Sequence, residues 1–284
     1  LTYAPTAVKS NLTLTAKATI KTFAITGTAQ YRDTDSTGSF TTGNNGGSVT
    51  GSGTYNYGSK ATLTAAAAAG YTFQGWYDAG GTQVSTAASY VIDSVTAAVT
   101  VYARFQKNWF TVTYTRGTGV NALTKTTERV AYNGTVTSET AVASTGYNTP
   151  TWTKTSGTGT LKVTAGKATL SGVQSNCKLT ASATINKYTV SYTKNANIAS
   201  ISKTSETVNY GGTATCTATL PANTAQYTYS FGGWYEGSTR IGTALALSVA
   251  NITAARTFEA RGVATVNKYT LTVVNGSGSG TYNY

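Results

Sequence analysis

The sequence predicts an all-β chain of tandem small modules with no substantial helix, and three observations carry that prediction. Threonine fills 60 of the 284 positions beside 20 Tyr and only three Pro, a composition suited to pleated, half-buried surfaces. An aromatic residue followed by alternating apolar and hydroxyl residues opens four segments, which is a strand signature. No stretch sustains a 3.6-residue period. Ala65–Ala69 is alanine-rich but stops at Gly70, so one helical turn at most fits there.

The four openings are Phe23-Ala-Ile-Thr, Phe110-Thr-Val-Thr-Tyr, Tyr188-Thr-Val-Ser-Tyr and Tyr269-Thr-Leu-Thr-Val, spaced by 87, 78 and 81 residues. Repetition at a fixed period marks an array of similar units. Each of the first three openings is followed by a turn and renewed alternation: Tyr57-Gly58 before Ala61–Thr64, Tyr132-Asn133-Gly134 before Thr135–Thr137, and Tyr210-Gly211-Gly212 before Thr213–Thr217. Glycine and asparagine supply the positive φ of such turns, so these read as hairpins. Next come Tyr71-Thr-Phe73-Gln-Gly75-Trp76-Tyr77 and Tyr229-Ser-Phe231-Gly-Gly233-Trp234-Tyr235. The middle repeat keeps only Tyr147 and Trp152 of this block, with Thr149 and Thr151 in the Phe and Gly places.

The closing segments agree as well. Val173–Tyr188 aligns without a gap on Val8–Phe23, placing Cys177 on Leu12, Leu179 on Leu14 and Ile185 on Ile20. Gly278–Tyr284 copies Gly51–Tyr57. The chain therefore divides into 1–22 (C-terminal strands of a preceding repeat), 23–109 (first repeat), 110–187 (second, divergent), 188–268 (third) and 269–284 (start of a further repeat). Incomplete outer segments are expected of an excerpt from a longer array. The joints Lys107-Asn108-Trp109, Asn186-Lys187 and Asn267-Lys268 carry no Gly/Ser or Pro linker, so the modules should be close-coupled.

Composition excludes much chemistry. With no His there is no imidazole base and no His-ligated metal, and nine carboxylates spread over the repeats leave little for general acid–base work. Two Cys cannot build a four-thiolate zinc site or a disulfide framework. No apolar run is long enough to span a membrane. No enzymatic activity, cofactor or metal is expected, with one candidate exception: Asp33 and Asp35 alternate in a loop with a faint calcium-binding look.

The block Gly70-Tyr71-Thr-Phe73-Gln-Gly75-Trp76-Tyr77, followed by Gly80-Gly81-Thr82 and Val99–Phe105, resembles the Listeria–Bacteroides repeat, or internalin-type B-repeat, and its divergent relatives. Phe231–Tyr235 and Phe258–Ala260 carry the same likeness in the third repeat. The resemblance implies small β-rich modules, β-grasp-like or Ig-like, in tandem on bacterial surface or secreted proteins, with no catalytic residues.

An 80-residue module buries about 60% of its unfolded surface, so it needs large aromatics. Tyr71, Phe73, Trp76, Tyr147, Trp152, Tyr229, Phe231 and Trp234 are the candidate core, with sugar stacking as the other use of such rings. Trp109 has no counterpart in the other repeats and sits at a joint; it reads as an inter-repeat packing residue or an exposed ligand contact. Cys177 and Cys216 take slots held elsewhere by Leu12 and Leu63, so both read as buried thiols acting as small hydrophobes. Lys125/Glu128 and Lys203/Glu206 recur at matching positions as ion pairs. The net charge is +12, and residues 110–187 hold eight basic against two acidic residues. Lys154, Lys162, Lys167 and Lys178 are candidate contacts for an anionic cell-wall polymer or glycan. No nucleic-acid pattern accompanies them. The expected role is a non-enzymatic, extracellular stalk, spacer or adhesive array. Its expected partners are neighbouring repeats or copies of itself; a filament subunit and a glycan-binding module are the alternatives.

Overall fold

The computed structural model describes residues 7–284. All regular structure among them is β. Three separate cores follow one another along the chain, and each is enclosed by two sheets.

In the first module the larger sheet is built on the opening strand Thr22–Arg32, which alternates buried and exposed positions about Ile25 and Ala29. Gly53–Asn56 and Thr41–Thr42 pair antiparallel with it on one side. On the other side lies the closing strand Val99–Lys107, parallel and in register from Ile25↔Val99 to Arg32↔Gln106. Tyr71–Tyr77 and then Gln83–Ser85 complete the sheet, both antiparallel to their neighbours. Opening and closing strands thus lie side by side at the centre, and the rest of the module forms the long crossover that parallel pairing requires. The second sheet, Gly47–Thr50, Ala61–Ala67 and Ser89–Ile92, closes the core from the other face with Ala61, Leu63 and Ala65. The alanine run is therefore strand rather than helical turn as far as Ala67; alternate small side chains let it lie close against the larger sheet.

The third module repeats this plan. Lys187–Lys194 pairs parallel with Arg256–Val266, Ser205–Asn209 and Tyr227–Glu236 flank them, and Thr239–Gly242 forms the edge. Gly212–Thr219, Ala246–Ile252 and Ser200–Ile201 make its second sheet. The second module pairs Trp109–Arg116 with Cys177–Ser182 in parallel, flanked by Thr127–Ala131 and Thr151–Ser156, over a sheet of Gly134–Thr137, Lys167–Val173 and Thr160–Thr164. Its larger sheet stops at four strands. The reason lies in the missing glycine. Gly75 and Gly233 sit at bulges with φ of 131° and 127°. A Cβ there would lie 2.7 Å from the carbonyl oxygens of Ser85 and Gly242 respectively. Only glycine admits the fifth strand so closely, and Thr151 stands in its place in the second module.

Residues 7–21 form no strand, and Leu12, Leu14 and Ile20 are exposed. Residues 1–6 of that expected closing segment lie outside the described residues. At the far end Lys268–Leu271 and Gly280–Asn283 form a two-stranded hairpin in the register of Thr22–Ile25 on Gly53–Asn56.

Candidate functional site: the module junctions

Each module core is organised by one tryptophan. Trp76, Trp152 and Trp234 are at most 2% exposed. Each stands opposite a fully buried alanine of the closing strand: Trp76↔Ala103, Trp152↔Ala181 and Trp234↔Ala260. The small partner leaves room for the indole. Each indole N–H donates to a loop carbonyl, of Ala87 at 3.0 Å, Gly166 at 2.8 Å and Leu245 at 3.1 Å, so no buried donor is left unpaired. Phe73 and Phe231 meet their tryptophans edge-on at 5.9 and 6.3 Å, an arrangement favoured by ring quadrupoles. In the second module, Tyr114 takes that role at 5.7 Å from Trp152. Tyr71, Tyr147 and Tyr229 are half-buried at the module rims. None of the three tryptophans presents a face to a sugar.

The contacts that recur between modules are at the joints. Asn108 N–H donates to Gly70 O at 2.8 Å, and its carbonyl accepts from Tyr132 N–H at 2.9 Å. Asn186 repeats this with Gly146 O and Tyr210 N–H, both at 2.8 Å, and Asn267 with Gln226 O at 2.9 Å and Tyr284 N–H at 3.1 Å. One residue thus ties the module behind it to the hairpin ahead of it. The hairpin tyrosines cover the glycines: a Cβ on Gly70 would fall 2.3 Å from Tyr132, and one on Gly146 2.2 Å from Tyr210. Both glycines also hold positive φ, 81° and 83°, which disfavours any other residue.

The first junction has further ties. Arg129 grips the Asp35 carboxylate with two hydrogen bonds of 2.7 and 2.8 Å, and this guanidinium holds Asp35 below its ordinary carboxylate pKa. Trp109 Nε1–H donates to Asp33 O at 2.9 Å. The Asp33 carboxylate accepts from Tyr71 OH and lies 3.7 Å from Lys107 Nζ. Burial, and then the Asp33 contact, push the Tyr71 phenol up to about 12. Asp33 and Asp35 are the two residues of the candidate calcium loop. Their charges are met by Lys107 and Arg129, and among the described residues no cluster of three metal-ligating side chains exists. Trp109 is half-buried and lines an open groove of about 390 Å³ with Asp35, Thr72, Gln74, Asn108 and Arg129. Thr72 donates to Asn108 Oδ1 at 2.7 Å, and Arg129 is spent on Asp35 and Thr111, so this polar lining binds itself. Sequence reasoning missed Arg129, Gly70 and Gly146; the shared Tyr-Gly and Asn joints were the signal available.

The four lysines do not converge. Lys178 lies exposed on the outer face of the larger sheet, whereas Lys162 and Lys167 lie exposed on the sheet across the core. Lys154 donates to Gly159 O at 2.5 Å. Lys125 and Lys203 pair with Glu128 and Glu206 at 2.8 and 2.9 Å, and each glutamate also accepts from a buried phenol, Tyr114 or Tyr192. Burial first, and then these carboxylates, push both phenols far above the ordinary value. Cys177 and Cys216 are free, 2% exposed each, and belong to different cores. Burial raises the Cys177 thiol.

Two repeat-family models match in the outer modules. The divergent InlB B-repeat domain matches residues 39–109, and the Listeria-Bacteroides repeat domain matches residues 188–261. No curated protein matches the chain. Among solved structures, the Bacillus anthracis TIE protein aligns at 9% identity and a TM-score of 0.37 over 86% of this chain and 51% of its own, so the chain spans about half the length of that structure. Repeats of the matched kinds are typical of bacterial surface or extracellular proteins and are generally non-catalytic. Through these two matches the first and third modules belong to the Listeria–Bacteroides repeat family and its divergent InlB B-repeat relatives.

Proposed function

We propose that the chain is a non-enzymatic spacer on a bacterial surface or secreted protein, and that its work is to hold successive modules at set angles. One observation carries this reading: the same two-sided backbone clamp recurs at Asn108, Asn186 and Asn267. A flexible tether would need none of it. Single backbone hydrogen bonds contribute only about 1 kcal/mol each. Covering them with Tyr132 and Tyr210 keeps water from competing, and the positive-φ glycines allow that cover to sit flush. Modules of this size are about 30 Å across, so three in line reach on the order of 90 Å. Such a spacer sets the distance and direction at which anything joined to it is presented, and repeated display converts weak contacts into avidity.

Small-angle X-ray scattering of the chain tests the reading. Wild type should give one narrow distribution of dimensions. Gly146→Val should broaden it by driving Tyr210 off the joint while each module keeps its own unfolding transition. A wild-type profile that already fits freely hinged modules would remove the basis for the proposal.

A further inference from the structure

The outer face of the larger sheet carries the same arginine–tyrosine stack in two modules, and only one of the two is neutralised. In the third module Arg261 lies over the Tyr235 ring at 4.3 Å and pairs with Glu259 at 2.7 Å. In the first module Arg104 lies over the Tyr77 ring at 4.1 Å. The registers match: Gly75↔Arg104, Trp76↔Ala103 and Tyr77↔Tyr102 repeat Gly233↔Arg261, Trp234↔Ala260 and Tyr235↔Glu259. Tyr102 thus stands where the third module keeps its carboxylate. The first module also adds a second guanidinium. Arg32 reaches the same face from the opening strand, and Arg32 and Arg104 lie 4.7 and 5.1 Å from the centroid of one ring, Phe40. Neutral amides hold both: Arg32 Nε donates to Gln106 Oε1 at 2.5 Å, and Arg104 Nε to Gln30 Oε1 at 3.2 Å. Among the described residues neither arginine forms an ion pair. The carboxylates of the adjoining loops are engaged elsewhere, Asp33 by Tyr71 and Lys107, Asp35 by Arg129, and Asp78 by the Thr82 N–H at 2.8 Å.

Two like charges held against one ring repel each other, and an anion brought from outside relieves that repulsion. We propose that this face of the first module binds an acidic polysaccharide, whose carboxylate or sulfate groups are gripped by Arg32 and Arg104. A guanidinium takes such oxyanions in a fork. With Nε tied to Gln30, the two terminal amino groups of Arg104 are left for that purpose, since they make no hydrogen bond among the described residues. The strands favour a polysaccharide over an acidic peptide. Both arginines belong to strands paired on both sides, so no backbone edge is open for a peptide to extend. The outward neighbours on these strands, Thr26, Thr28, Thr100 and Tyr102, present hydroxyls, which suit the hydroxyls of sugar rings. The second module has Ser182 in the place of Arg104, and the third has Glu259 beside its arginine, so one face of the three is left charged.

Isothermal titration calorimetry of the 284-residue chain tests this. The probes are polygalacturonate, which carries carboxylates, and dextran sulfate, which carries sulfates; plain dextran and poly-L-glutamate are the references. Wild type should bind at least one of the two acidic polysaccharides, more weakly as salt screens the charges, and neither reference comparably. The polymer bound more tightly identifies the oxyanion. Arg32→Gln and Arg104→Gln should each lower affinity about tenfold or more, because hydrogen bonds to a charged group are lost. Tyr102→Glu gives the first module the third module's carboxylate. It should silence the face as strongly with both arginines still in place, while the unfolding transition of the first module is kept. Lys178→Gln removes one positive charge from the second module and should change affinity about twofold at most, since a distant charge acts only through the general field. No binding to either acidic polysaccharide, equal binding of poly-L-glutamate, arginine or Tyr102→Glu variants that bind as wild type, or an equal loss in Lys178→Gln overturns the proposal.

Discussion

Replacing Trp234 with alanine removes the largest side chain of the third core. The indole is fully buried, meets Tyr192 and Phe231 at 6.2 and 6.3 Å, and donates to Leu245 O. An aromatic of this size buries about 150–250 Å², and at about 25 cal/mol per Å² its burial is worth roughly 4–6 kcal/mol. Alanine recovers part of that, and buried tryptophan truncations cost about 3–5 kcal/mol. A module of about 80 residues has roughly 4–12 kcal/mol of stability in all, so the variant third module should lose between about a quarter and all of it. Because the three cores are separate, the loss should stay local. Hydrogen exchange read by mass spectrometry resolves this. Amides of residues 188–266 should exchange at least a hundredfold faster, about 2.7 kcal/mol or more by the tenfold-per-1.36 kcal/mol relation, while those of 23–107 and 110–173 keep their protection. A slowing or speeding of less than tenfold in the third module would refute the assignment of Trp234 as its organising residue; simultaneous loss of protection in all three would refute independent cores.

Other outcomes follow from the junction and the buried groups. Arg129 holds Asp35 below its ordinary carboxylate value of 3.8, so its tie to the second module is fully present above that pH and is lost only as pH falls through the lowered folded value; scattering in a descending pH series below 3.8 should show the first joint loosen, and Arg129→Ala should remove the pH dependence. Tyr71 is raised to about 12 from 10.0. Its neutral form is therefore favoured by folding, and stability should decline as pH climbs from 10 toward 12. In an ultraviolet titration Tyr114 and Tyr192 should ionise only with unfolding, since burial and Glu128 and Glu206 oppose their phenolates. Cys177 and Cys216 should resist a thiol reagent in the native chain and react fully in denaturant; fast native labelling of either would contradict its place in the core.

The pattern of residues was enough to read the hairpins, because turn glycines and period-two alternation are local properties. It was also enough to single out Trp76, Trp152 and Trp234, since they are the largest side chains at a position that recurs in all three repeats, although Phe105, Tyr114, Tyr192 and Phe258 share the buried cores. It did not announce the parallel pairing of opening and closing strands. That contact joins residues some 70 positions apart, such as Ile25 and Val99, and no local period reports it. Asp33 and Asp35 looked like cation ligands because spacing records only who is near along the chain. Arg129, 94 positions from Asp35, is brought beside it by folding.

What the sequence determined by itself was an all-β array, its repeat length and its core aromatics, each dictated by short-range sterics and by the need of a small module for apolar bulk. Tertiary structure alone decided the order of strands within each sheet, the loss of the edge strand where Thr151 replaces glycine, the clamps at Asn108, Asn186 and Asn267, and the scattering of Lys154, Lys162, Lys167 and Lys178 over different faces. The physical reason is the same in every case: these depend on which surfaces meet once distant strands are aligned, and a Cβ 2.2 Å from a tyrosine ring or a carboxylate within reach of a guanidinium exists only after the modules have been stacked.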